Sequence, residues 1–156
     1  MTTTLLFVGK TTDPHIDTLC QEYLKRLTHY LPVRLQVIPE LRNTKALTPD
    51  QQKQAEGELI LRAVPQSADL ILLDEHGKGY RSVEFAQQLQ KKMSSGRDLF
   101  FAIGGPYGFS QAVYERANGK VSLSQMTFSH QMVRLFLIEQ IYRAMTILRG
   151  EPYHHE

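Results

Sequence analysis

A chain of 156 residues, 42% of them hydrophobic and 22% charged, is long enough to bury about two-thirds of its unfolded surface, and residues 1–156 read as one domain. Its net charge of +2 is too small to indicate nucleic acid, because phosphate binding needs local clusters of Lys and Arg rather than a total. The single cysteine, Cys20, excludes an internal disulfide and a multi-thiolate metal centre and fits a reducing compartment. The opening MTTTLLFVGK has no basic leader before its short apolar run, so neither export nor a membrane span is expected, and the expected compartment is the cytoplasm.

Thr4 to Val8 (TLLFV), apolar and followed by Gly9, has the pattern of a buried strand. A helix comes next, with Asp13 as cap, Pro14 in the first turn, and Ile16, Leu19, Cys20, Tyr23, Leu24 and Leu27 at helical spacing. Val33 to Ile38 alternates as a second strand between Pro32 and Pro39, and residues 40 to 47 read as a mobile linker. Thr48, Pro49 and Gln51 form a capping box for a polar helix to about Val64, with Leu59, Ile60 and Ala63 facing inward. DLILLD is a strand apolar on both faces. Ser82 is placed to cap a helix that buries Phe85, Ala86, Leu89 and Met93, and LFFAI supplies another strand. Ser110 caps a short helix, Asn118-Gly119 turns the chain, and KVSLS gives one more strand. A long helix then runs from about His130 to Arg149, ended by Gly150 and Pro152.

Strands alternate with helices and the central strands are apolar without alternation, so an α/β fold is expected: a mostly parallel sheet with helices on both faces. The last helix carries Val133, Phe136, Leu137, Ile141, Ala144 and Leu148 on one stripe and Met132, Leu135, Ile138 and Met145 around it. That is more than one face, which fits either a central buried helix or one with a second face in a homodimer interface.

Ligands of such sheets bind outside the carboxyl ends of the strands, where LLDEHGKG, IGGPYG and SLSQMTFSH converge. Gly104, Gly105 and Gly108 match neither the dinucleotide fingerprint nor a phosphate loop. They serve either a plain turn or a close backbone approach to a ligand. Ser129 is placed to cap the last helix. His76, His130, His154 and His155 show no recognised metal-ligand spacing beyond the adjacent tail pair, so no metal is expected.

FVGK, LLDEHGKGYRSVEFAQQL, FFAIGGPYGFS and SLSQMTFSHQMVRLFLIEQIYRAMTILRGEPYHH stand in the order and spacing of the bacterial ribosomal large-subunit methyltransferase H family, which the whole chain resembles. The resemblance implies a SPOUT-type fold with a C-terminal trefoil knot, a homodimer, and methyl transfer from S-adenosylmethionine to N3 of a pseudouridine in 23S rRNA of the assembled ribosome. Carried over residue by residue, it implies cofactor contacts at Leu73, at Gly104 with Gly105, and at Leu123, Ser124, Gln125, Met126, Thr127 and Phe128. It places Tyr153 and His154 near that pocket, His154 as a base or either as a stacking platform. The chain departs from the family pattern at Ser129 and His155.

Three roles stand open for Arg134: stabilising charge on carbonyls beside the reacting nitrogen, binding phosphate, or a structural ion pair. Lys25, Arg26, Arg42 and Lys45 are candidates for RNA contact. A ribosome-associated factor without activity, a tRNA methyltransferase of the same class and a flavodoxin-like small-molecule enzyme are the competing readings.

Overall fold

The computed structural model describes residues 1–155. Five strands, β1 (Thr3–Val8), β2 (Val33–Ile38), β3 (Asp69–Gly79), β4 (Leu99–Ile103) and β5 (Gly119–Ser122), form one sheet in the order β2-β1-β4-β3-β5. Every neighbouring pair is parallel, so each crossover carries helix. Helices α1 (Pro14–Leu27), α3 (Ser82–Ser94) and α5 (Met132–Leu148) cover one face, and α2 (Pro49–Ala63) and α4 (Gln111–Arg116) the other. Successive strand residues therefore enter different cores: Leu5, Phe7, Phe101 and Ile103 pack under α1, α3 and α5, while Leu6, Val8, Phe100 and Ala102 pack under α2 and α4. Burial on both faces is why these strands read as continuous apolar runs.

Local chemistry sets the helix starts. Asp13 accepts from the amides of His15 (2.8 Å) and Ile16 (3.4 Å), and Ser110 from that of Val113 (3.3 Å). Thr48 and Gln51 exchange the two bonds of a capping box, at 3.1 and 2.9 Å. The expectation at Ser82 is corrected: Arg81 is the cap, Glu84 accepts from its amide at 2.8 Å, and the Ser82 hydroxyl donates to Gln140 Oε1 at 3.0 Å. Residues 40 to 47 are not featureless, since a short 3₁₀ turn, Thr44–Ala46, is entered through Asn43 at φ +57°, a conformation asparagine tolerates.

β3 also departs from expectation. It continues past Leu73 to Gly79, with a bulge that sets both Leu73 and Lys78 opposite Val121. Gly77 is required there, because a Cβ would lie 2.7 Å from the Val121 amide nitrogen. α5 begins at Met132 rather than His130, although Ser129 does accept from the Met132 amide at 3.0 Å. Gly150, at φ +68°, ends it. Leu137, Ile138, Ile141, Ala144 and Met145 are buried, whereas Phe136 on α5 and Leu19 on α1 stay exposed. Among the described residues no helix is long and apolar enough to cross a membrane.

Candidate active site

A cavity of about 420 Å³ lies at the carboxyl ends of β3, β4 and β5. Leu73, Asp74, Glu75 and His76 line it from β3, residues 104–109 from the β4–α4 loop, and Leu123, Ser124, Met126, Thr127 and Phe128 from the segment after β5. The third wall follows from topology. β5 is an edge strand, yet α5 starts against β1, three strands further in. Gln131 Oε1 accepts from the Thr12 amide at 2.8 Å, and Arg134 donates to the carbonyls of Val8 (2.8 Å) and Gly9 (2.9 Å). The segment between β5 and α5 must therefore cross the ends of β3 and β4, which makes it a roof.

Arg134 is fully buried. Its remaining donors reach the His130 carbonyl at 3.2 Å and the Thr11 hydroxyl at 3.0 Å, and its guanidinium lies 4.9 Å from the centre of the Phe7 ring. Burial pushes its pKa down, opposed by Cys20 and Glu40. Its side chain does not line the cavity, and in place of the ion pair left open for it the guanidinium is tied to neutral backbone carbonyls and a hydroxyl.

The glycines of IGGPYG meet neighbours from their own chain. A Cβ on Gly104 would sit 3.2 Å from Phe109, and one on Gly105 only 2.6 Å from the carboxylate of Glu56. Both glycines line the cavity, and both also leave room behind it. Gly108, at φ +80°, donates back to the Gly105 carbonyl at 3.1 Å and closes the loop on itself.

Opposite, Asp74 accepts a short hydrogen bond from the Tyr114 hydroxyl and a 2.8 Å bond from the His76 amide. Burial first, and then the Asp74 carboxylate, push the Tyr114 hydroxyl's pKa up. Thr127 donates to Glu75 at 3.4 Å, linking roof to β3. Asp74 and Glu75 are the carboxylates of the lining, which among the described residues contains no Lys or Arg. Such a cavity favours a neutral or cationic ligand over phosphate.

Other expected site residues lie elsewhere. Gln125 is exposed and outside the lining. The tail folds against α1 and α5: Tyr153 donates to Glu139 at 2.9 Å, its hydroxyl is 3.4 Å from that of Tyr23, and Arg143 Nη1 is 3.1 Å from His154 Nδ1. Neither Tyr153 nor His154 lines the cavity of its own chain. Burial and bonds to Tyr23 and Glu139 push the Tyr153 hydroxyl's pKa up, so it stays protonated. Of the basic candidates, Arg26 pairs with Glu22 at 3.0 Å, while Lys25, Arg42 and Lys45 are exposed. Sequence reasoning passed over Glu56, Tyr114 and the carboxylates within LLDEHG. Only the last had a local signal, as charges directly after an apolar strand.

A second cavity of about 360 Å³ adjoins the first, sharing Val121, Ser122, Leu123 and Phe128. Tyr80, Phe128 and Phe136 supply aromatic surface, and Ser82 and Gln140 supply polar groups. The rings of Phe128 and Phe136 are 5.2 Å apart and both are partly exposed.

A five-stranded parallel sheet with its cavity roofed by the entry to the last helix coincides with a family match: residues 1–154 fit the model described as predicted SPOUT methyltransferase, and the chain belongs to that family of methyltransferases. It is similar over its full length to proteins named ribosomal RNA large subunit methyltransferase H. The Bacteroides fragilis protein is 57% identical over 157 residues, covering 100% of both chains. That of Bacteroides thetaiotaomicron is 56% identical with the same coverage, and that of Flavobacterium johnsoniae is 57% identical over 97% of this chain and 98% of its own.

Proposed function

We propose that this protein methylates N3 of a pseudouridine in 23S rRNA of the assembled ribosome, using S-adenosylmethionine and acting as a homodimer. The observation that carries the reading is the cavity itself: backbone-rich walls at three strand ends, two carboxylates and no cationic side chain. The nearly full-length relatives named for ribosomal RNA support the substrate class, and the trefoil knot implied by the resemblance belongs to the same reading.

When bound, S-adenosylmethionine supplies a methyl group activated by a positively charged sulfonium. Leu73, Gly104, Gly105, Leu123, Ser124, Met126, Thr127 and Phe128 hold it, with Gln125 in the same segment. Asp74 and Glu75 favour its positive charge over the neutral product. The adjoining cavity takes the target base, stacked against its rings, with Ser82 and Gln140 reading the polar edge. Arg134 is a positioning residue that fastens the roof. Because the tail packs outside its own cavity, Tyr153 and His154 serve the cavity of the partner protomer, with His154 accepting the imide proton and Tyr153 a protonated stacking or hydrogen-bonding surface. Exposed Lys25, Arg42 and Lys45, with Arg26, contact phosphate.

The test is methyl transfer to ribosomes lacking the modification, with free tRNA in parallel and calorimetric titration of S-adenosylmethionine. Transfer to ribosomes alone is expected. Transfer to tRNA would move the protein to another substrate, and a folded dimer that binds no S-adenosylmethionine would make it a factor without this activity. Sedimentation as a monomer at micromolar concentration would remove the composite site, as would a His154→Ala enzyme of unchanged rate.

A further inference from the structure

We propose that a third cavity, between α3 and the open edge of β5, is a second base subsite that takes the unpaired nucleotide next to the methylated one. The inference rests on reading the protein as an rRNA methyltransferase whose target base enters the adjoining cavity.

The third cavity holds about 200 Å³. Its floor is apolar, with Ile71 and Phe101 from the sheet and Phe85 and Leu89 from α3, and Gln88 and Lys92 continue the same helical stripe to the rim. Residues 119, 120 and 121 of β5 all border it. Successive side chains of a strand point to opposite faces, so a cavity bordered by all three runs along the main chain of the strand. β5 pairs with β3 alone, which leaves the N–H and C=O groups of its outer edge open. The side-chain amide of Gln88, half-buried, has no hydrogen-bond partner among the described residues. An apolar floor between such an amide and a strand edge suits a flat ring with donors and acceptors on its rim, which describes a nucleobase. The volume is below the roughly 300–1,000 Å³ usual for larger ligands and suits a single base.

Position points to the same occupant. Val121 lines all three cavities, so they form a row beside β5, and Tyr80 and Phe85 line both the second and the third. A strand whose target base is extruded into the second cavity therefore carries its neighbouring base to the third, with Tyr80 bordering both.

Charge agrees as well. Lys78 Nζ stands 5.1 Å from the centre of the Tyr80 ring. Lys92 and Arg97 share one carboxylate, that of Asp69, at 3.3 and 3.1 Å, which leaves a surplus positive charge beside the cavity. A phosphodiester backbone supplies the opposite charge. A peptide strand added to β5 would use its main-chain groups but not these cations, and β5 offers it only four residues.

Steady-state methyl transfer to ribosomes lacking the modification is the test, with Gln88→Ala and Lys92→Ala, since neither residue lines the first or second cavity. Each variant should raise KM for ribosomes about fivefold, the worth of one hydrogen bond or phosphate contact, with kcat and the affinity for S-adenosylmethionine unchanged. Lys92→Ala should also reduce the slope of log affinity for ribosomes against log salt by about one, whereas Gln88→Ala should leave it alone. Asp69 keeps Arg97 in the first variant, and urea unfolding should show both to be folded. A wild-type KM in either variant overturns the inference. So does a raised KM for Lys92→Ala with an unaltered salt slope, which would give the edge of β5 to a neutral partner such as a peptide strand. A wild type that methylates no ribosomes overturns the reading beneath it.

Discussion

Arg134 and Gly9 stand 125 positions apart in the chain, and a 2.9 Å hydrogen bond from guanidinium to carbonyl joins them. Removing the guanidinium leaves the carbonyls of Val8, Gly9 and His130 without that donor and opens a void in the core. Arg134→Ala is expected to lower stability by about 3 kcal/mol or more in urea unfolding, and Arg134→Lys, with one compact donor head, by nearly as much. If either variant keeps wild-type stability, the guanidinium is not what fastens α5 to β1.

Gly104 and Gly105 should respond differently to alanine. The Gly105 Cβ would collide at 2.6 Å with the buried Glu56 carboxylate, which Gln52 holds, whereas the Gly104 Cβ presses on Phe109 at 3.2 Å. Gly105→Ala is expected to cost about 1–3 kcal/mol and to weaken S-adenosylmethionine binding, with Gly104→Ala milder on both counts. Equal effects would mean that the two walls yield alike.

Glu75→Gln removes a negative charge from the cavity lining without changing its shape. Affinity for S-adenosylmethionine should fall about two- to fivefold, while that for the uncharged S-adenosylhomocysteine changes little, because the carboxylate is partly in water. Parallel titrations measure the ratio. An unchanged ratio would remove charge selection from Glu75.

In the adjoining cavity, Gln140→Ala should slow methyl transfer to ribosomes about tenfold while leaving S-adenosylmethionine affinity unchanged, since Gln140 lines only that cavity. A parallel loss of cofactor affinity would place Gln140 in cofactor binding instead.

Cys20 is buried and its thiol is pushed up from 9.0 to about 11, first by burial and then by Asp17. The native protein should therefore resist iodoacetamide at pH 8 and label only as it unfolds. A thiol raised in the folded state contributes stability that is present below its ordinary value and lost as pH rises through the folded one. On the order of 2–3 kcal/mol should disappear between pH 9 and 11.

The sheet was legible because each strand is bounded by turn or cap residues and is apolar wherever two layers cover it. β2 and β4 match their expected limits residue for residue. The bulged extension of β3 was not legible, since DEHGKG carries turn residues and pairs only because Val121 lies alongside. Three strand ends were identifiable as a cavity from topology and family resemblance together. Glu56 behind Gly105 and Tyr114 on Asp74 were invisible, being contacts between residues 49 and 40 positions apart with no shared local pattern. Arg134 was singled out with three roles open, but which carbonyls it serves depends on where β1 ends.

The roof from β5 to α5 has a consequence for how the protein comes into being. Its far anchors, Gln131 and Arg134, follow all five strands in the chain. A nascent polypeptide halted before α5 has the floor of the cavity and nothing to close it, so the cavity is completed only once synthesis has passed the first turn of α5.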